Sequence, residues 1–222
     1  MISSFPFWRC CRLLFPVLLL TALPMPAGYK VHPWKPRAIE SYPSKLTSEG
    51  ITIAVDPFFS DALAAQFFDK NDMVARGIMP LAVIIFNSNN FPVEVEGNAI
   101  ELLQDEDHIR TLSPAEAVHR LFATKPKAIR PPIPGIPPIK ISNSNEDAVL
   151  DFRYKFLGVK RIEAHDTRGG FLYLPISNPA NLRKSLADAK VYIPNIYRGD
   201  NGASMMFFEI DLKAAIDAAP RK

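Results

Sequence analysis

The stretch Leu81-Ala-Val-Ile-Ile-Phe86, followed by Asn87-Ser-Asn-Asn90 and Val93-Glu-Val-Glu96, decides the fold class. The first run is apolar without interruption, which predicts a central strand covered on both faces. The asparagine-rich residues after it are typical of a turn. The alternation that follows predicts a second strand with its valines facing inward and its glutamates outward. These residues together predict two short strands separated by a turn.

More short strands are predicted on both sides of this pair. Residues 51–55 form a strand that ends at Asp56-Pro57, and Gly97-Asn98 marks a bulge or kink before the next one. The remaining strands are predicted at 99–103, 108–112, 171–174, 190–198 and 205–212. The last two are joined through Gly199-Asp-Asn-Gly202, where Asn-Gly is a strong hairpin signal because both turn residues favour positive φ.

Helices are predicted in the connections between strands. Ser113-Pro-Ala-Glu116 is a capping box with proline at the first helical position, and it predicts a helix start. Apolar spacing predicts two further helices at 60–69 and 146–157. Residues 125–140 contain six prolines, so they are predicted to form an irregular loop. The sequence therefore predicts a mainly β fold, an immunoglobulin-like β-sandwich with two or three inserted helices.

The turn and strand motifs carry a family resemblance. Asn87 followed five residues later by Pro92-Val93, then Ile100-Glu-Leu-Leu103 and Gly170-Phe-Leu-Tyr-Leu174, resembles immunoglobulin-like domains of uncharacterised bacterial exported proteins. The resemblance covers roughly residues 50–212. It implies a fold and an extracytoplasmic setting, and it implies no activity.

Residues 1–27 are predicted to be a cleavable signal peptide. Arg9 and Arg12 precede an apolar run over 13–23, and no acidic residue occurs before the expected cleavage after Ala27. The run is shorter than the roughly 20 residues that span a bilayer. Membrane contact is expected only through this segment, if it stays uncleaved as an anchor. The predicted localisation is therefore extracytoplasmic, either periplasmic or secreted.

The rest of the chain divides into three parts by composition. Residues 28–48 are polar and carry three prolines, which predicts an extended tether or an edge segment. Residues 49–213 form the sandwich domain, with the proline-rich loop 125–140 inside it. Residues 214–222 form a C-terminal tail.

Composition excludes several function classes. The chain has 222 residues, a net charge of +3 and two cysteines, both within the leader. This charge is too small to indicate nucleic-acid binding, and no recognition motif accompanies it. Without the leader, the chain contains no cysteine. Catalysis by a thiol and metal sites with thiolate ligands are therefore excluded for the mature chain. No cofactor is predicted, because no phosphate-binding glycine motif and no nucleophile motif occur.

Two histidines next to aspartates are the candidate metal ligands. Asp107-His108 and His165-Asp166 could together hold Zn²⁺ or a similar ion if their loops met in space. Such a site would support a metal-dependent hydrolytic enzyme. The alternative is a pair of solvated loop histidines.

The leading prediction is a non-enzymatic module that binds or scaffolds a cell-envelope protein or surface component. Its predicted contact surfaces are the proline-rich loop and an exposed sheet edge. The partner-binding residues predicted in that loop are Pro131, Pro132, Pro134, Pro137 and Pro138. Besides the metal-dependent enzyme, a carrier of a small apolar ligand inside the sandwich is a further alternative.

Overall fold

The computed structural model describes residues 28–123 and 145–219. Ten strands within these ranges form two antiparallel sheets, so the predicted mainly β class is confirmed. The strands are β1 (Ser44–Ser48), β2 (Ile51–Pro57), β3 (Ile78–Asn87), β4 (Val93–Glu96), β5 (Glu101–Gln104), β6 (Asp107–Arg110), β7 (Val159–Ile162), β8 (Thr167–Pro175), β9 (Lys190–Arg198) and β10 (Ser204–Asp211). The helices are α1 (Asp61–Ala64), α2 (Pro114–Phe122), α3 (Glu146–Lys155), α4 (Leu182–Ser185) and α5 (Lys213–Ala218).

The first sheet has the strand order β1-β2-β3-β8. The tight β1–β2 hairpin turns through Glu49 and Gly50, which both have positive φ, at 45° and 76°. Two positive φ values give the turn the twist that matches the flanking strands. β3 lies inside the sheet, where Val83 pairs with Val55 on one side and Gly170 on the other. The predicted central strand is therefore confirmed.

The second sheet is built around β9, which pairs with β10 along one edge. On its other edge, β4 pairs near Ile196 and β5 pairs near Val191. A 3-10 turn at Gly97–Ala99 separates β4 from β5, so the two form one interrupted strand. This turn lies where the sequence predicts a bulge or kink. β7 and β6 complete the sheet beyond β4 and β5.

Apolar residues of β3 alternate between two cores. Leu81, Val83 and Ile85 belong to the core between the two sheets, together with Val95 and Ile196 of the second sheet. Ile78, Ala82 and Ile84 belong to a second core on the opposite face of the first sheet. The molecule therefore has three layers, with helices covering the outer face of the first sheet.

The helical layer is held by α2 and α3, which pack against each other and the first sheet. The predicted capping box at the start of α2 is confirmed: Ser113 Oγ accepts from the Glu116 amide at 3.3 Å, and Glu116 Oε2 accepts from the Ser113 amide at 2.9 Å. Leu121 of α2 and Phe152 of α3 are fully buried in the second core.

The helix predicted over 60–69 is much shorter than expected. Its α-helical part is Asp61–Ala64, and the backbone continues in 3-10 turns, with the Phe67 amide bonded to Ala64. Phe68 is almost completely buried against Phe152 and Phe171. Packing of these rings overrides the helical spacing of the local sequence.

Two segments placed outside the sandwich by composition are structured. Ser44–Ser48, within the predicted tether 28–48, form the edge strand β1. Residues 213–218, most of which fall in the predicted tail, form α5 and bury Ala215 and Ile216. Both segments are short and weakly patterned, so their structure depends on tertiary contacts. The predicted signal peptide 1–27 and the predicted proline-rich loop 125–140 lie entirely outside the described residues.

Candidate functional site

A groove of about 620 Å³ opens on the helical side of the first sheet. Its walls are residues 34–45, the end of β2, the α1 region and α5, and we call it the N-terminal groove. Its apolar lining consists of Trp34, Tyr42, Pro43, Pro57, Phe58, Leu63, Phe67, Ala82, Ala215, Ala218 and Ala219. Its charged lining consists of Lys35, Arg37, Glu40, Lys45 and Asp56. This volume lies within the usual range of small-molecule sites.

The wall formed by residues 34–45 is fixed by aromatic contacts. The Trp34 ring packs on Phe171 with centroids 4.8 Å apart. The Arg37 amide donates to the Tyr42 hydroxyl at 3.0 Å, and the Arg37 guanidinium lies 4.6 Å from the centre of the Tyr42 ring. Tyr42 is itself buried. Residues 34–45, which the composition predicts to be extended, are thus anchored to the domain near both ends, by Trp34 and by Tyr42.

An ion pair crosses the groove between Arg37 and Asp56. Arg37 Nη2 donates to Asp56 Oδ2 at 3.0 Å. Burial raises the pKa of the Asp56 carboxyl, and the neighbouring Arg37 charge partly opposes that rise. Lys45 Nζ donates to the carbonyl oxygens of Glu40 and Tyr42, at 2.7 Å and 3.0 Å. Three cations and two carboxylates therefore lie beside the aromatic and alanine side chains of the groove, and this mixed lining is suited to binding an amphipathic molecule.

His108 is held on the second sheet by a neighbour on β5. Its Nδ1 lies 2.7 Å from Glu101 Oε2, and Arg110 Nε donates to Glu101 Oε1 at 2.8 Å. Hydrogen bonds from His108 and then Arg110 are the main causes that lower the pKa of Glu101. Asp107 pairs with Gln104 in the β5–β6 ladder. The predicted candidates Asp107 and His108 thus occupy an exposed hairpin.

His165 and Asp166 lie elsewhere, in the turn between β7 and β8. His165 has a positive φ of 60°, and its Nε2 lies 2.9 Å from Asn90 Oδ1. Asp166 accepts from the Thr167 amide and pairs with Arg168. Among residues 28–123 and 145–219, no three His, Cys, Asp or Glu side chains are grouped to hold a metal ion. The structure does not join the two predicted histidine pairs into one site.

The five prolines predicted to contact a partner lie outside the described residues. The N-terminal groove, in contrast, was missed by sequence reasoning, because its wall was interpreted as a tether. Trp34 and Tyr42 were the available signal, since two aromatic residues in a polar segment favour docking on a folded surface.

Comparisons with known proteins give no family. No protein-family model matches the chain, and no curated protein matches it. Two solved structures from Bacillus subtilis are weakly similar to it. The ycdA protein, described as a candidate lipoprotein, has 11% identity and a TM-score of 0.37, with 77% of this chain and 39% of that chain covered. The yjhA protein has 6% identity and a TM-score of 0.35, with 68% of this chain and 78% of that chain covered.

These similarities are too low to carry an argument about function, and this chain spans only 39% of the ycdA chain. Within the described part of the chain, no helix is both long and apolar enough to cross a membrane.

Proposed function

We propose that this protein is an exported, non-enzymatic binding module of the cell envelope, and that the N-terminal groove holds its ligand. The observation that carries the proposal is the groove itself, which has a volume of about 620 Å³ and combines apolar side chains with the Arg37–Asp56 ion pair. Apolar clefts with a few placed polar groups are the usual form of a binding site. The partner that presents or receives the ligand is an unknown cell-envelope protein or surface component.

The lining favours an amphipathic ligand with an anionic end. Phe58, Phe67 and the alanines of α5 offer apolar surface to a hydrocarbon chain or ring. Lys35, Arg37 and Lys45 outnumber Glu40 and Asp56 at the rim, so a carboxylate or phosphate group is favoured there. This places the ligand on the outer face of the first sheet, whereas the sequence-based carrier hypothesis placed it inside the sandwich.

The extracytoplasmic location and the immunoglobulin-like classification are parts of the same proposal. The basic-then-apolar order of residues 1–27 supports export, and the two packed antiparallel sheets support a sandwich classification. N-terminal sequencing of the protein recovered from cells tests cleavage. A new N-terminus at Gly28 is expected, and a retained leader would show that the segment serves as an anchor.

Trp34 provides a direct binding assay. Trp8 is the only other tryptophan, so full-length Trp8→Phe protein reports on the groove through Trp34 emission. Titration with dodecanoate is expected to change this emission saturably, and uncharged dodecyl maltoside to do so more weakly. Arg37→Gln should weaken dodecanoate binding about tenfold, the effect of losing one charge-assisted hydrogen bond.

Arg110→Gln is the matched control, because Arg110 also pairs with a carboxylate but lies on the second sheet. It should leave dodecanoate binding unchanged. Ala218→Phe, which adds a ring at the groove wall, should block binding. Equal affinities for the Arg37 and Arg110 variants, or no saturable change at all, would refute the proposal.

A further inference from the structure

A second groove, of about 440 Å³, lies beside α3 and is separate from the N-terminal groove. Its lining is Tyr29, Val31, Asp147, Leu150, Asp151 and Tyr154, and we call it the α3 groove. Three of these side chains are unusually exposed for apolar residues: Val31 is 57% exposed, Leu150 60% and Tyr154 86%. Exposed apolar clusters of this kind mark contact surfaces.

A buried carboxylate in the wall of this groove is only half satisfied. Asp151 Oδ2 accepts hydrogen bonds from the Tyr29 hydroxyl and from Lys155 Nζ, both at 2.7 Å. Asp151 Oδ1 is buried and has no hydrogen-bond partner among the described residues. The Asp151 side chain is fully buried beneath the groove, and its contacts with Tyr29 and Lys155 fix the groove floor.

The chain leaves and re-enters the described structure beside the α3 groove. Phe122, the last residue of α2, lies with its ring 6.3 Å from the ring of Tyr29. The chain returns at Asn145, directly before α3, whose own residues line the groove. The 21 residues between Ala123 and Asn145 are long enough to cover it, because an extended chain advances about 3.3 Å per residue.

The composition of these intervening residues complements the groove. Residues 124–144 carry four cations and no acidic residue, whereas the groove presents the carboxylate of Asp147, since Asp151 is already paired with Lys155. The four cations are Lys125, Lys127, Arg130 and Lys140. The same residues include six prolines and five isoleucines, and proline-rich segments bind to surfaces that present aromatic side chains.

We propose that residues 125–140 dock on the α3 groove of their own chain, with their prolines and isoleucines against Tyr154 and Leu150. The proposal goes beyond the ligand-binding function of the N-terminal groove and does not depend on it. Under this proposal, the aromatic surface that the proline-rich segment recognises belongs to the same molecule.

Trypsin digestion of the native full-length protein tests this docking. Of the four cations, Lys127 and Lys140 are not followed by proline, so trypsin can cleave after each of them. Docking should protect the peptide bonds after Lys127 and Lys140 from cleavage. The variant Leu150→Ser/Tyr154→Ser is expected to be cleaved there at least about tenfold faster, the effect of losing 1.4 kcal/mol of docking energy.

Phe207→Ser is the matched control, since Phe207 is similarly exposed on β10 of the second sheet. It should be cleaved at the wild-type rate. Because Leu150 and Tyr154 are exposed, their variant should stay folded at the digestion temperature, with its melting temperature lowered only by the few degrees that the lost docking energy accounts for, which excludes global unfolding as the cause of faster cleavage.

Three results would overturn the proposal. Equal cleavage rates in the double variant and wild type would show that the segment does not use the groove. Protection that increases with protein concentration would assign the groove to a second copy of the chain. Protection that appears only with vesicles of phosphatidylglycerol would assign it to a membrane surface.

Discussion

The Lys155 ammonium group is buried one helical turn from Asp151, with Nζ 2.7 Å from Asp151 Oδ2. Lys155 Nζ also donates to the Phe67 carbonyl at 2.6 Å and lies 4.8 Å from the centre of the Phe68 ring. Burial lowers the pKa of Lys155, and the Asp151 charge opposes that decrease. This pair joins α3 to the chain after α1, so the two charges form a crosslink inside the helical layer.

Removing one partner of this pair should be costly. Asp151→Leu leaves a buried ammonium without its counter-ion and should lower the free energy of unfolding by about 3–5 kcal/mol. The double variant Asp151→Leu/Lys155→Met should recover a large part of this loss, because no uncompensated charge remains buried. Urea unfolding of the single and double variants measures the coupling free energy between Asp151 and Lys155.

The exposed pair Lys213–Asp217 has the same spacing on α5 and provides the control. Lys213→Met should change the stability little, since exposed pairs contribute little. A double Asp151/Lys155 variant no more stable than Asp151→Leu would contradict a charge-burial mechanism.

Tyr29 attaches the N-terminal segment to α3 through its hydrogen bond with Asp151. Burial is the largest cause that raises the pKa of the Tyr29 hydroxyl, followed by the hydrogen bond to Asp151. Tyr29→Phe should lower the free energy of unfolding by about 1.5–3 kcal/mol, the contribution of a hydrogen bond to a charged group. Thermal unfolding followed by circular dichroism checks this value. Tyr154→Phe, at an exposed hydroxyl on the same helix, should have no comparable effect.

Gly170 lies where the chain after α3 crosses β8. A Cβ atom there would be 2.7 Å from Leu157 Cα and 2.9 Å from the Lys155 carbonyl oxygen, and backbone cannot move aside easily. The Leu157 amide is bonded to the Phe171 carbonyl at the same crossing. Gly170→Ala should therefore destabilise the domain by about 1–3 kcal/mol, as overpacking does.

Chemical denaturation can compare this variant with Gly28→Ala, since position 28 has no atom within 4 Å of a new Cβ. If the two alanine variants were equally stable, the close crossing at Leu157 would not exist in solution.

The capping box of α2 should make stability depend on pH. Hydrogen bonds from Ser113 hold the pKa of Glu116 below its usual value of 4.5. The folded state therefore binds the proton of Glu116 less tightly than the unfolded state. The stabilisation is complete above pH 4.5 and is lost as the pH falls through the folded pKa. Wild type should be more stable than Glu116→Gln at pH 7, and the difference should shrink below pH 4. A pH-independent difference would contradict this origin.

Local sequence predicted the parts of the fold whose signals are contained in a few residues. The apolar run 81–86 corresponds to the doubly covered strand β3, and Ser113-Pro-Ala-Glu116 corresponds to the start of α2. The predicted hairpin joins β9 to β10, although Gly202 has the positive φ expected of both turn residues and Asn201 does not. In each case the physical cause is local: backbone preferences, capping hydrogen bonds or complete burial of one short strand.

The candidate sites were predicted less well, because they depend on distant contacts. The prediction from neighbouring aspartates and histidines could not show that His108 and His165 lie in separate parts of the fold. Residues 28–48 could not be recognised as a groove wall from their proline content. Their ordered conformation depends on contacts with residues more than 100 positions away in the sequence, such as Phe171 and Asp151.

The sequence by itself determined a mainly β domain with inserted helices, since periodicity, caps and composition act over short distances. Only the tertiary structure decided that α1 stops at Ala64, that residues 34–45 border a groove, and that Asp151 is left with one unsatisfied oxygen. These features depend on packing between segments that are remote in the chain, and packing energy is not encoded in any one of those segments.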